Sequence, residues 1–286
     1  MPAFSFAKIS GSKRSELYLM PTIEMILVLI LVGAATGSLT ALINIAPTFI
    51  AIPALYFFLP IVGFSFDEVM VPLVASCVAA FIPVHLYAWI QSMKQGQVDS
   101  QQLINFAPGM AMGGVIGAQL LSLSSAVLFK ICFTLMAVMF VFKIVFNKKL
   151  EKTPTLTPAK AANLPIGLVV GSLSVMSGNS GTVLANGMNS LLKIDQSKRD
   201  GTTHGLVVFV SIAALVGFIF PAKPTIMMDG MAFAGAIHLP SVLFLALSHF
   251  LFYWLCRQRG NDLDKRVLSL SVTLYVCCSL IRFWSA

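Results

Sequence analysis

The stretch from Ser174 to Gly187, SVMSGNSGTVLANG, sets hydroxyls, amides and glycines in the middle of an apolar run. An earlier apolar run is interrupted in the same way by NIAPT, Asn44 to Thr48. Serine, threonine and asparagine side chains donate hydrogen bonds, and glycine lets a ligand come close to the backbone. A half-helix starting at such a break also exposes unpaired N–H groups and a partial positive charge at its N-terminus. That combination holds a small anion without a buried lysine. The candidate substrate-binding residues at the breaks are Asn44, Pro47, Thr48, Gly178, Asn179, Ser180, Gly181 and Thr182. Ser76 in the first half, and Thr203 and His204 in the second, lie on the spans that follow and complete the set.

His204 stands beside Thr202 and Thr203 at the start of a span, where an imidazolium holds an anion or carries a proton. His85, two residues after Pro83, has the same chemistry open to it, and a neutral packing role is the alternative for each. His238 and His249 have weaker claims. For the glycines of PGMAMGGVIGAQL, close helix packing is the expected role.

Other chemistries are excluded. No Asp or Glu occupies the middle of a span, which argues against a carboxylate relay for cations, a membrane protease or a metal hydrolase. Ser177 or Ser180 as a nucleophile would lack the acids that activate one. The five cysteines fall in apolar segments without CxxC or metal-ligand spacing and read as packing residues. No catalytic residue, metal or cofactor is expected. The net charge of +8 resides mostly in loop lysines and arginines, so it reports topology and does not imply nucleic acid.

The elements that must position these residues are membrane helices. Of 286 residues, 57% are hydrophobic and only 10% charged, and the mean hydropathy is +0.88. A soluble domain would carry about a quarter charged residues. The run from Thr22 to Ile61 is too long for one crossing at about 1.5 Å per residue, so NIAPT must divide it. Spans follow near Val69 to Gln91, Leu103 to Leu121 and Ala126 to Phe146. The second half has a broken segment from Leu164 to Leu192, then spans near Gly201 to Phe220, Pro240 to Cys256 and Arg266 to Phe283. Lys130, Lys143 and Arg282 lie near span ends and can snorkel. The predicted fold is all-α, a polytopic helical membrane protein of two homologous halves with broken or re-entrant helices. Its parts are a basic tail (1–21), a first repeat (22–146), a polar linker (147–163) and a second repeat (164–286).

The repeat rests on alignment of GAATGSLTALINIAPT from Gly33 with GLVVGSLSVMSGNSGT from Gly167, which opposes Gly33 to Gly167, Gly37-Ser38-Leu39 to Gly171-Ser172-Leu173, and Thr48 to Thr182. VASCV from Val74 falls near GTTHG from Gly201. Paired interruptions in two halves point to a transporter's binding site. If each broken segment returns to its side of entry, or crosses twice, the halves are inverted. The loops with Lys94, Lys148 to Lys160, Lys193 to Arg199 and Arg257 to Arg266 then share the cytoplasmic face. The tail with Lys13 and Arg14 is the dissenter, and whether it faces cytosol or periplasm is left open.

At these residues the chain resembles the sulfite exporter TauE/SafE family, over Ile26 to Phe283. The break elements carry the resemblance, NIAPT followed by FIAIPAL with Pro53, and GNSGT. GQVD, Gly96 to Asp99, before the glycine-spaced helix, and AIHLPSV, Ala236 to Val242, before the penultimate span, add to it. The resemblance implies a multi-pass permease of the bacterial inner membrane for small anions, often sulfur-containing oxyanions or organosulfonates. The expected partners are that anion and the lipid bilayer, with proton or ion coupling and homo-oligomerisation left open. The alternative is a non-transporting membrane scaffold or assembly factor derived from a permease.

Overall fold

The computed structural model describes residues 23–62, 65–150, 162–192, 194–223, 232–257 and 265–285. The basic tail, residues 151–161 of the linker and Lys193 lie outside the described residues. In a bilayer every peptide group must pair within its own segment, so apolar runs become helices. Among the described residues there are ten: α1 (Ile23–Ile43), α2 (Thr48–Val62), α3 (Phe66–Lys94), α4 (Ser100–Leu123), α5 (Ala126–Leu150), α6 (Asn163–Met176), α7 (Thr182–Leu191), α8 (Gln196–Ile219), α9 (Leu239–Arg257) and α10 (Lys265–Ser285). A two-stranded hairpin, β1 (Phe233–Ala234) and β2 (Ile237–His238), precedes α9. Helices α1, α3, α4, α8, α9 and α10 are long and apolar enough to cross a membrane. The protein is a multi-pass helical membrane protein.

Small residues set the packing. A Cβ on Gly33 would stand 2.8 Å from the Ser248 side chain, and one on Gly37 would meet the His249 carbonyl, so α1 lies directly on α9. Likewise Gly167 and Gly171 of α6, facing Gly109, Gly113 and Gly117 of α4, bring those two backbones together. This is the packing role expected of the glycine-spaced helix, with dispersion and close backbone approach supplying the association that water would otherwise drive. Leu270, Leu274 and Ile281 of α10 stay exposed, as side chains facing lipid tails do. On the inner side, Tyr56, Phe66, Phe129, Phe133 and Phe283 join α2, α3, α5 and α10 through edge and tilted ring contacts.

The contact registers give the helix directions. Gly33 meets Leu245 and Gly37 meets Tyr253, so α1 and α9 run parallel; Gly109 meets Leu164 and Gly117 meets Ser172, so α4 and α6 do too. Phe81 contacts His249 and Tyr87 contacts Tyr253, aligning α3 with α9, while Gly205 meets Leu103 and Gly217 meets Val115, aligning α8 with α4. Across the centre, Ser92 meets Gly201 and Trp89 meets Phe209, and α3 and α8 are antiparallel. The group α1, α3, α9 therefore opposes the group α4, α6, α8. One end of the bundle collects the end of α3 with Lys94, the start of α8 with Lys198 and Arg199, and the end of α9, where Arg257 covers the Tyr87 ring.

The loops before α4 and α9 share a pattern. Gly96 and Gly235 turn with φ of 68° and 63° shortly before α4 and α9. Just after those turns the Asp99 N–H donates to Thr202 Oγ1 (2.9 Å), and the His238 N–H donates to Ser76 Oγ (3.0 Å).

Candidate functional site

Both breaks are built by ordinary helix-stop chemistry. Helix α1 ends at Asn44, whose φ of 50° is left-handed and whose N–H donates to the Thr40 carbonyl. Asparagine tolerates this conformation because its short polar side chain can bond locally. Helix α6 ends at Gly178, with φ of 70°, and there the Gly178 and Asn179 N–H groups return to the Val175 and Ser174 carbonyls, a Schellman closure. The alignment that sets Gly33 against Gly167 also opposes Asn44 to Gly178, so the two left-handed stops fall at matched positions. After the stops, Pro47 gives its carbonyl to the N–H groups of Ile50 and Ala51 at the start of α2.

The two breaks touch. Thr48 Oγ1, fully buried, donates to Asn179 Oδ1 at 3.0 Å, joining the break after α1 to the break after α6. That bond occupies the amide oxygen and leaves Asn179 Nδ2, with its two N–H donors, buried and without a partner. Ser180 Oγ and Thr182 Oγ1 are also buried and unpartnered. Each such group costs about 1–3 kcal/mol, so a stretch of four residues holds three uncompensated polar groups. Gly181, with φ of 99°, starts α7 without a side-chain cap, and the first N–H groups of α7 have no intrahelical acceptor. Neighbouring hydroxyls are already used: Ser174 Oγ donates to the Val170 carbonyl and Ser177 Oγ to the Ser174 carbonyl. What remains is a cluster of donors, with a helix N-terminus behind it, suited to an acceptor that carries negative charge.

The other candidate residues divide differently. Ser76 is committed to the loop before α9 through the His238 N–H. Thr203 donates to the Arg199 carbonyl and accepts from Asn189 Nδ2 of α7 at 2.9 Å, tying α8 to the second half-helix. His204 meets His85 across the α3–α8 interface, with the two Nδ1 atoms 3.2 Å apart. Gly178 is tightly enclosed, since a Cβ there would stand 2.8 Å from Ile52 and 3.0 Å from Phe129, whereas the nearest atom to one on Gly181 would be Ser174 Oγ at 3.6 Å.

Sequence reasoning did not single out Asn189, whose Oδ1 is buried and unpartnered. Its signal was present as a second amide beside Asn186 in the ten-residue helix TVLANGMNSL. His249 ranked low because it looks like any span residue, yet it is fully buried and its Nδ1 lies 2.9 Å from Thr36 Oγ1. No group of His, Cys, Asp and Glu suited to a metal ion occurs among the described residues.

Neither a curated relative nor a solved structure matches the chain. A family model does, over residues 29–283, which is nearly the whole chain and includes both breaks. A helical, multi-pass chain with two interrupted segments in contact, matched over that length, belongs to the sulfite exporter TauE/SafE family.

Proposed function

We propose that this protein is a bacterial inner-membrane permease for small anions, sulfur oxyanions or organosulfonates, held where the two breaks meet. The observation that carries the reading is the set of buried, unpartnered groups Asn179 Nδ2, Ser180 Oγ and Thr182 Oγ1 at the uncapped start of α7. A tetrahedral or pyramidal oxyanion presents several acceptor oxygens, which matches several donors better than a single carbonyl would. Hydrogen bonds to a charged group are worth about 1.5–3 kcal/mol each, enough to replace much of the water an anion sheds. Gly178 and Asn44 act by ending their helices at the right depth, Pro47 by starting α2, and Thr48 by fixing the Asn179 amide with its N–H groups free. Thr203 supports α7 through Asn189, and His204 belongs to a neighbouring layer.

The two halves are read as inverted repeats about the α3–α8 crossing. Their matched stops, matched loop clamps and opposed helix directions support this. In a permease built so, one half rocks against the other around a fixed site, and the contact between the breaks is the natural pivot.

The test is thermal unfolding of purified protein in detergent with sulfite, thiosulfate and ethanesulfonate, and with chloride as control. A ligand at a hundred times its Kd adds about 2.7 kcal/mol of stability, so a saturable rise in Tm is expected with at least one sulfur anion. No saturable shift with any of them, in protein that remains monodisperse, would refute the reading.

A further inference from the structure

We propose that the anion reaches the breaks from the basic end of the bundle, along the polar side of α7, while the opposite route along α2 is closed by an aromatic plug, a sidedness that rests on the permease reading for its cargo.

The two half-helices leave the contact between Thr48 and Asn179 in opposite directions. Helix α7 runs to the basic end. Its Asn189 Nδ2 donates to Thr203 Oγ1 at 2.9 Å, and a Cβ on Gly201, two residues earlier on α8, would meet the Gln97 carbonyl just past the end of α3. Helix α2 runs the other way, since the Tyr56 ring packs 4.9 Å from that of Phe66 at the start of α3. Each half-helix thus marks a route from the breaks to one side.

The chemistry of the two routes differs. On α7, Thr182, Asn186 and Ser190 are spaced by four residues and share one side of the helix. Thr182 is buried with its hydroxyl unpartnered at the inner end, and Asn186 and Ser190 are half-buried. Amides and hydroxyls stacked along one side at membrane depth cost free energy against hydrocarbon and none against water. Leu184 and Leu191 mark the side given to lipid. Between the two sides, a Cβ on Gly187 would find no atom within 4 Å. The donor cluster of Asn179, Ser180 and Thr182 therefore continues into a polar strip that leads outward.

On α2, every side chain from Phe49 to Leu55 is apolar. Phe49 packs on Phe133 and Phe140 with ring centroids 5.6 and 5.1 Å apart, and Phe129 and Phe283 extend the cluster to Tyr56. Phe49, Phe129, Phe133 and Phe283 are at most 1% exposed. The cluster is seated on the break itself, because a Cβ on Gly178 would stand 2.8 Å from Ile52 and 3.0 Å from the Phe129 ring. Such rings give an anion no donor in place of the water it sheds.

The mouth of the polar route carries a cation. Arg199, half-buried on the first turn of α8, has its Nε buried without a partner, and its Nη2 is 3.4 Å from the Ile194 carbonyl in the loop after α7. A guanidinium there offsets the partial negative charge at the end of α7, which would otherwise repel an arriving anion. Asp195 and Asp200 flank the same loop but are exposed, where salt screens them.

The experiment labels the full chain in sealed membrane vesicles of each orientation by brief exposure to 2-sulfonatoethyl methanethiosulfonate, a membrane-impermeant organosulfonate. The unsubstituted chain gives the background rate. Lys94→Cys reports the basic end, and Ser125→Cys, between α4 and α5, the opposite one. Asn186→Cys and Ser190→Cys should react at least tenfold faster from the Lys94 side than from the Ser125 side. Thiosulfate at ten times its Kd leaves about one site in eleven free and should slow the Asn186→Cys reaction several-fold. Adding Phe129→Ala, or the milder Phe129→Leu where alanine impairs folding, should raise the rate from the Ser125 side at least tenfold. Equal rates from the two sides in the parent chain, or reaction of Asn186→Cys only with the membrane-permeant N-ethylmaleimide, would overturn the one-sided route. An unchanged rate from the Ser125 side in folded Phe129 variants would overturn the plug. One-sided labelling with neither protection nor thermal stabilisation by any sulfur anion would sink the permease reading and leave the polar route standing.

Discussion

Replacing Asn179 by alanine separates a binding amide from a packing amide. In the resting protein the side chain makes one bond, from the Thr48 hydroxyl to Oδ1, while Nδ2 is buried without a partner. Removing it leaves Thr48 Oγ1 without its acceptor, a loss of about 1 kcal/mol, and removes an orphan whose burial costs about 1–3 kcal/mol. The two nearly cancel or favour the variant, so Tm should change little. For the bound state the balance is different, because the N–H groups that meet the anion are lost. One hydrogen bond to a charged group is worth about 1.5–3 kcal/mol, so affinity should fall roughly 10- to 150-fold. The assay is titration of thermal stabilisation, or radiolabelled anion binding, on wild type, Asn179→Ala, Thr48→Val and the double variant. Thr48→Val should weaken binding less, since it frees the amide without removing it. The double variant should lose no more than Asn179→Ala alone. A marked fall in Tm with unchanged affinity in the folded fraction would refute the reasoning and make the meeting of the breaks a packing contact only.

Gly178→Ala and Gly181→Ala both force a left-handed φ at about 1–2 kcal/mol. Only the first also collides with Ile52 and Phe129, so chemical or thermal denaturation should rank it the more destabilising. Gly181→Val, by hindering the approach to the α7 N-terminus, should abolish anion binding in protein that still elutes as a single species. Gly37→Ala drives a methyl into the His249 carbonyl and should cost about 1–3 kcal/mol, whereas Gly187→Ala, helical and with open space around it, should gain about 1 kcal/mol. Lys94→Cys and Lys198→Cys should react with an impermeant thiol reagent from the same side, since the ends of α3 and α8 meet, and labelling from opposite sides would contradict the helix directions. Lys130→Gln should leave anion affinity intact, because that ammonium lies over the Tyr56 and Phe283 rings and not at the breaks.

Much of the fold was legible because bilayer physics acts locally. With no water to satisfy peptide groups, an apolar run of sufficient length has one choice, and residues such as Pro47, Gly178 and Gly181 mark where the helix must stop. That is why the breaks at NIAPT and SGNSGT, the packing of PGMAMGGVIGAQL and the family were readable from the chain. Which polar groups stay unpaired was not readable. Ser180 differs from Ser174 and Ser177 only in its neighbours, and Ser76, which sequence placed with the site, holds a loop. The bond from Thr48 to Asn179 joins two breaks far apart in the chain, and the meeting of His85 with His204 depends on how α3 crosses α8. His249 became distinctive only when the packing of α1 on α9 brought its Nδ1 to the Thr36 hydroxyl. A hydrogen bond is a relation between two groups: sequence supplies each group and its local helix, but distance and partner are set by how the helices pack, and in a dry interior the group left without a partner is the one a ligand can use.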